Sequence, residues 1–480
     1  MTSLPPRIAR NRNRALTALI CSWLVWLCSC AVGPDYRKPD VTLFTSGDWR
    51  WKIGEPKDAA PKGEWWKVFN DATLDDLEAR AMANNQNLRG AVARVDAARA
   101  GARLTRSQFF PDISFDPVVN RQRTSGHLPT PIPFKVPSAH FNTFSMPIDL
   151  SYEVDLWGRV RRSFESARAQ AQASVADYQN VLLTLTADVA VDYFLLRSLD
   201  AEIGTLQGAI DLRNESLRIL HARFVNGTTP EIDEARAKVE VATAKEDLAD
   251  TMRQRAETLD ALALLCGQSP NSFQIAERSM ADTPPIVPVG LPSSVLERRP
   301  DIASAERKLA AKNAEIGVAR AAYFPALRLV GQAGYLSAEA SSLFAGDSRV
   351  WSIGPAVSLP LFNAGRTAAE NKQAVAAYRE ALADYRETIL AALKEVEDSL
   401  AQIVFWNQQA LAQEEALAAA RRVVELARVR YDAGKTSYLE VVDAERDRLQ
   451  QDRQKALLQS QRFSASTRLI KALGGRWDGN

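Results

Sequence analysis

Histidine and cysteine are scarce in this chain, with three His and four Cys among 480 residues. His127, His140 and His221 are scattered without the close spacing that metal ligation needs, so no metal site is expected. Long apolar runs are also missing. Charged residues make up 25% of the chain, and no stretch reaches the roughly 20 apolar residues that a membrane-spanning helix requires. The formal charge of +2 offers no basic patch for nucleic acid. No nucleophile, general base or phosphate-binding loop stands at meaningful spacing, so no catalysis and no cofactor are expected.

What is present begins at the N-terminus. Arg7, Arg10, Arg12 and Arg14 precede an apolar run of about 13 residues, from Ala15 to Leu27, which suits the core of a signal peptide. It ends in Leu27-Cys28-Ser29-Cys30. That ending resembles a bacterial lipobox, in which cleavage occurs before a Cys whose sulfur has received a diacylglycerol. Cys30 is the better acceptor because the residue before it, Ser29, is small. The alternative is a plain secretory peptide that happens to contain cysteines. Residues 1–29 are thus expected to be removed, leaving Cys30 carrying a diacylglycerol and an N-acyl chain such as palmitate. Loss of four Arg and no acids takes the formal charge from +2 to −2. The mature chain keeps only Cys30 and Cys266, so no intramolecular disulfide is expected.

The body of the chain says nearly the same thing twice. Gly158-Arg159, Ala176-Asp177-Tyr178, Gly227 and Gly267 recur 207 residues later as Gly365-Arg366, Ala383-Asp384-Tyr385, Gly434 and Gly474. Upstream, Phe109-Phe110-Pro111 answers Tyr323-Phe324-Pro325 at an offset of 214. The difference places seven extra residues between Pro111 and Gly158, within the Pro, Ser and Thr-rich stretch 121–144 that suits a surface loop. The layout that follows is an N-terminal segment 30–72, a first repeat 73–267, a linker 268–292, a second repeat 293–474 and a tail 475–480.

Each repeat changes period along its length. A helix is expected from an N-cap at Thr73 to about Gln108, with Asp75 and Asp76 in its first turn. Past Pro111 the period becomes two, with Ile113, Phe115 and Val119 on one side and Asp112, Ser114 and Asp116 on the other. Met146, Ile148, Leu150, Tyr152, Val154 and Leu156 then alternate with polar residues including Asp149, Glu153 and Asp155. This predicts a strand hairpin over 112–157 and a second over 326–362, the latter carrying Leu327, Leu329, Trp351, Ile353, Val357, Leu359 and Leu361. A half-buried soluble sheet would alternate too, but the acidic polar face and the strand length favour a tilted membrane strand.

After each hairpin comes a long helix, 159–225 and 366–432. Val175, Leu182, Val189, Leu196, Ile203, Ile210, Leu217 and Phe224 keep a seven-residue period, and Leu382 to Tyr431 repeat it. Each of these helices, at 1.5 Å per residue, is about 100 Å long. Turns follow at Gly227 and Gly434, where positive φ is expected. Return helices start at an N-cap Thr229 with Pro230 at N1, spanning 230–266, and at a Ser437/Glu440 capping box, spanning 438–473. Ala235, Ala242, Ala249, Ala256 and Ala263 form a small-residue stripe that suits close helix approach.

Four strands per chain cannot close a membrane barrel whose edges must all be paired. Several copies must associate. Two would give a barrel filled by its own side chains, whereas three copies of four strands, twelve in all, leave a lumen.

The residues also resemble a family. Leu296 to Gly334, with Arg298-Arg299-Pro300-Asp301, Ala305-Glu306-Arg307, Ile316-Gly317-Val318-Ala319-Arg320 and Phe324-Pro325, looks like the TolC-class outer-membrane efflux proteins. Cys30-Ala31-Val32-Gly33-Pro34-Asp35-Tyr36 is similar to the start of their NodT-type lipoprotein branch. This resemblance implies a membrane α+β fold, in which the duplicated strand hairpin plus long helical hairpin trimerises into a 12-stranded β-barrel continuous with a periplasmic α-helical barrel. It implies a homotrimer in the outer membrane of a Gram-negative cell, lipid-anchored and reaching into the periplasm. It also implies docking to a periplasmic adaptor, or membrane fusion protein, and to an inner-membrane resistance-nodulation-division pump, and through them multidrug resistance. By the same resemblance Leu439 and Asp443 line a gate near the second helical turn, Arg430 and Tyr431 make the contacts that hold it shut, and Gly227 and Gly434 mark the helical-turn tips. A ring of Leu can dewet a narrow pore, and Asp carboxylates side by side favour cations; a plain solvated Asp at a helix face is the alternative. The expected activity is a passive conduit for small molecules. A conduit for type I protein secretion and a lipid-anchored coiled-coil scaffold remain as alternatives.

Overall fold

The computed structural model describes residues 31–39, 63–125, 138–278, 280, 283–285 and 299–475. The signal peptide, the acyl acceptor Cys30, much of segments 30–72 and 268–292, and the end of the tail lie outside the described residues. Seven α-helices and five strands occur among the described residues: α1 Ala72–Asn84, α2 Gln86–Ser107, β1 Asp112–Phe115, β2 Val118–Arg123, β3 His140–Val154, α3 Arg159–Val225, α4 Glu231–Leu265, α5 Pro300–Ala321, β4 Ala326–Ser337, β5 Arg349–Ser358, α6 Arg366–Asp432 and α7 Tyr438–Ala472. The two repeats match in length, since α3 and α6 are 67 residues each and α4 and α7 are 35 each. The chain divides into a strand-bearing unit, 1–39, 96–173 and 305–384, and a helical unit, 40–95, 174–304 and 385–480.

In the strand-bearing unit all pairings are antiparallel, in the order β1-β3-β4-β5, with β2 also on β3. β1 and β2 share one edge of β3 in a single register, Phe115 facing Ile148 and Val118 facing Ser145. The continuous first strand expected from the sequence is therefore broken only at Asp116-Pro117. Pro117 has no N–H to give the ladder, and neither has Pro147 across from Asp116. Gly334, paired with Pro147, lies so close to the Met146 carbonyl that no Cβ fits there.

The register gathers most of the large apolar residues on one face, although Val118, Phe141, Val330, Leu336 and Val350 fall on the other. Ile113, Leu150, Gly331 and Ile353 form one row, and Phe115, Ile148, Ala333 and Trp351 the next. The opposite face carries Ser114, Asp149, Gln332 and Ser352, with Gln332 Nε2 donating to Asp149 Oδ1 at 2.9 Å. Both predicted hairpin faces are thus one face of one sheet. That apolar face is bare in the single chain: Trp351 is 78%, Val357 68% and Ile353 65% exposed. Each such side chain left in water forgoes about 2 kcal/mol, so the face and its two open edges call for cover.

The helical unit has its own core. Leu185, Val189, Leu196, Leu199, Ile203 and Leu206 of α3 are buried, as are Ile389, Val396, Leu417 and Val424 of α6, along the predicted seven-residue stripes. An aromatic cluster seals one region, Phe69 lying 4.8 Å from Phe194, which in turn lies 4.7 Å from Phe463. Of the alanine stripe, only Ala263 is buried within the chain. Ala235, Ala242, Ala249 and Ala256 are exposed, and the packed stripe of α4 is Ala237, Ala244, Thr251 and Thr258.

Helix ends differ from expectation in four places. The cap of α1 is Asp71, whose Oδ1 accepts from Thr73 and Leu74 N–H groups, so Thr73 lies inside the helix. The single helix expected to reach Gln108 is two, because Asn85 turns extended and its Oδ1 caps the Leu88 N–H at 2.9 Å. At α4 the cap position is Pro230, one residue later than expected. The Ser437 side chain makes no cap bond at α7, so the capping box is not formed.

Candidate functional site

The two helical turns are built alike. Gly227 and Gly434 both hold φ at 67°. Gly227 N–H bonds Phe224 O and Thr228 N–H bonds Arg223 O, each at 2.9 Å; Gly434 to Tyr431 and Lys435 to Arg430 repeat the pattern at 2.9 Å. These paired bonds close off the last helical carbonyls and need a residue at ease in the left-handed region.

Just past the second turn, α7 opens with two contrasting faces. Tyr438, Val441, Val442 and Ala444 are buried with Leu220 and Ala237 of the first hairpin and with Val424 and Ala427 of α6. Leu439 and Asp443, four residues apart and so on one side of the helix, are left exposed, Leu439 at 39% and the Asp443 side chain at 59%. The sequence-predicted pair is thus brought together and turned away from the core of its own chain.

The predicted contact residues divide. Tyr431 joins the two hairpins: Arg223 of α3 donates to its OH at 3.3 Å and lies over its ring, with the guanidinium carbon 5.6 Å from the centroid. The Tyr438 ring centroid lies 5.5 Å from that of Tyr431. Arg430 instead stays within its own hairpin, 3.6 Å from Glu440 in an exposed pair, which contributes little by itself. Burial first, then the carboxylate of Glu445, pushes the Tyr438 phenol up to about 12, so it stays protonated.

One network beside Leu439 and Asp443 was not read from the sequence. Arg446 pairs with Glu240 of α4, its Nε 2.8 Å from Oε1, while lying 3.8 Å from Asp443. Glu240 is buried and also accepts from Arg213 at 3.1 Å. Arg428 reaches Glu445 at 2.6 Å. The signal for Arg223 was available, since it stands 207 residues before Arg430 in the repeat; Arg446 has no such symmetry, because Val239 stands where the repeat would put its counterpart, although Glu240 is answered by Asp447.

A family model described as outer membrane efflux protein matches residues 77–268 and 291–475, one span per repeat. The chain belongs to the outer membrane efflux protein family. It is 32% identical over 469 residues to the toluene efflux pump outer membrane protein TtgI of Pseudomonas putida, covering 95% of this chain and 97% of that protein. It is 33% identical over 451 residues to the pyoverdine export outer membrane protein OpmQ of Pseudomonas aeruginosa, covering 93% and 94%. Among solved structures, that of the outer-membrane channel OprN superposes with a TM-score of 0.82 at 28% identity, over 93% of this chain and all of that one. The duplicated strand-and-helix hairpins are therefore the fold of TolC-class channels, and this efflux protein is an outer-membrane channel component of an export system. Its family and fold are those of channel proteins.

Proposed function

We propose that three copies of this efflux protein close into one twelve-stranded barrel and serve as the passive exit duct of a tripartite pump, docked through a periplasmic adaptor to a resistance-nodulation-division pump in the inner membrane. The observation that carries it is the sheet register, which sets Ile113, Phe115, Ile148, Leu150, Trp351, Ile353 and Val357 on one largely exposed face and leaves both sheet edges open. Barrel closure satisfies both demands at once, lipid covering the face and neighbouring copies pairing the edges. In this reading the duct is passive and the energy comes from the inner-membrane partner.

Cys30 carries the lipid anchor, and Leu439 and Asp443 form the narrowest ring, held by Tyr431 and its Arg223 contact. The names of the toluene and pyoverdine exporters support a small-molecule cargo over a secreted protein. Native mass spectrometry of the detergent-extracted protein is expected to show trimers whose Cys30 peptide carries acyl chains. A deletion strain is expected to become sensitive to lipophilic drugs with protein secretion unchanged. Monomers, or a deletion that abolishes secretion of a protein and spares drug tolerance, would overturn this reading.

A further inference from the structure

In the first repeat the segment that follows α4 is bound back onto its own helical hairpin. Residues 273–278 are neither helix nor strand, with Phe273 buried and Ile275 packed against the same core. Two arginines hold the backbone of this segment. Arg255 Nη2 donates to Ile275 O at 3.0 Å, and Arg197 Nη1 donates to Ala276 O at 2.7 Å. Asp200 orients Arg255 by accepting from its Nε at 2.7 Å, and it also takes the Arg278 N–H at 3.3 Å. The Glu277 carboxylate lies 3.9 Å from the same Arg255 nitrogen. A clamp of this kind reads the main chain of an extended peptide, with one acid beside a guanidinium.

Half of that clamp recurs 207 residues later. Arg462 stands for Arg255 and Asn407 for Asp200, and Arg462 Nε donates to Asn407 Oδ1 at 3.0 Å, as in the first copy. Among the described residues the outer nitrogens of Arg462 bond nothing, whereas the counterpart Arg255 Nη2 holds Ile275. The pair lines a cleft of about 580 Å³ between α6 and α7, together with Leu411, Glu414, Lys455 and Thr283. Glu414 and Lys455 each lie seven residues from the pair, about 10 Å along the rod, a distance that an extended chain covers in about three residues. Asn407 lies 27 residues before Gly434, about 40 Å from the turn, so the cleft is separate from the helical-turn tips.

Two replacements change what the second clamp reads. Asp200 accepts an N–H, whereas Asn407 spends its oxygen on Arg462 and presents its Nδ2 amide, a donor. Val404 stands where Arg197 would, so no second guanidinium is supplied. What remains is a pair of donors, one of them cationic, which complements a carboxylate beside a carbonyl.

We propose that the cleft between α6 and α7 is a docking groove for an extended, acidic peptide segment of a partner protein. Arg462 takes a backbone carbonyl of that segment, as Arg255 takes Ile275, and Asn407 Nδ2 joins it in taking an adjacent carboxylate. Charge complementarity sets the acid at the Arg462 end, because at the other end Glu414 offsets Lys455.

The test is fluorescence anisotropy on the full-length protein in detergent. The probes are a labelled peptide PNSFQIAER, copied from residues 270–278, and the same peptide with Arg278→Glu. The acidic peptide is expected to bind, and the parent peptide to bind several-fold more weakly. Arg462→Ala is expected to weaken the acidic peptide about tenfold while leaving the unfolding midpoint unchanged, since its one bond is to an exposed side chain. Asn407→Asp is isosteric and still holds Arg462. It is expected to reverse the order of the two peptides, because the new carboxylate repels the added acid and accepts as Asp200 does. Absence of binding would overturn the proposal, as would the same peptide ranking on the native and Asn407→Asp proteins. Binding that survives Arg462→Ala and is abolished by Arg255→Ala would also overturn it, because the peptide would then be displacing its own original from the first repeat.

Discussion

Asn85 and Arg299 stand 214 residues apart and do the same work in the two repeats. Asn85 Nδ2 donates to Leu265 O at 2.9 Å, and Arg299 Nη1 donates to Ala472 O at 3.0 Å. Those carbonyls are themselves equivalent, the last helical residues of α4 and α7. Each side chain ties the start of one helix to the end of another, but the second copy is charged, and Arg299 also holds Asp301 at 2.6 Å and Glu395 at 2.7 Å. The described part of that block, Arg299-Pro300-Asp301, is thus a junction of α5, α6 and α7.

Asn85→Ala is expected to destabilise by about 2 kcal/mol, one part from the lost cap on Leu88 and one from the unpaired Leu265 carbonyl. Arg299→Ala is expected to cost about 2–3 kcal/mol, and Arg299→Lys not to restore it, since a single ammonium cannot span the three acceptors. Denaturant unfolding of both variants checks this. A neutral Asn85→Ala would show that the equivalence is geometric only.

Glu78 is fully buried and neither of its carboxylate oxygens has a hydrogen-bond partner among the described residues. Burial first, and then the neighbouring Asp75 charge, raises its pKa well above the ordinary 4.5. The folded state therefore holds a proton that the unfolded chain releases, so this group's contribution is fully present below 4.5 and is lost as pH rises through the folded value. Asp192, pushed up to about 6 by burial and by Asp188, slopes the same way. Glu78→Gln is expected to flatten part of the pH dependence of unfolding above 4.5 and to leave the Asp192 part. Identical slopes in variant and parent would refute this.

The turn glycines predict a local effect. Nothing lies within 4 Å of a Cβ built on Gly227 or Gly434, so Ala at either place suffers only its positive φ, about 1 kcal/mol. Hydrogen exchange at Thr228 or Lys435 is expected to rise about fivefold while global unfolding moves little. An unchanged exchange rate would mean that the turn relaxes to another conformation.

Arg446 gives a prediction that separates gating from stability. Its side chain is 53% exposed, so its bond to Glu240 contributes little to folding, and Glu240 keeps Arg213. Arg446→Ala is expected to leave the unfolding midpoint nearly unchanged while raising single-channel conductance several-fold, because the start of α7 loses its tie to α4. A fall in the midpoint with unchanged conductance would assign Arg446 to structure alone.

The legible parts of this molecule were those where symmetry or period constrains the chain. Gly158, Gly227 and Gly267 recur as Gly365, Gly434 and Gly474, and all six have positive φ, because the same backbone turn is made twice. Strand alternation foretold which residues share a face, since a pleat has no other period. What escaped was decided by contacts distant in sequence. Asn85 reads as an ordinary helical residue until Leu265 is placed beside it. The stripe Ala235 to Ala256 keeps a seven-residue period as faithfully as its packed neighbour Ala237 to Thr258, and periodicity alone does not say which one faces the core. The Arg446–Glu240 tie crosses between repeats that sequence reads one at a time.

The most direct test is single-channel conductance in planar bilayers for the purified native assembly against Asp443→Ala. A native channel with small, cation-selective current that grows and loses part of its selectivity in the variant is the predicted result, since the exposed Asp443 side chains would set both the width and the charge of the narrowest ring. Equal conductance and equal selectivity in the two proteins would contradict the account.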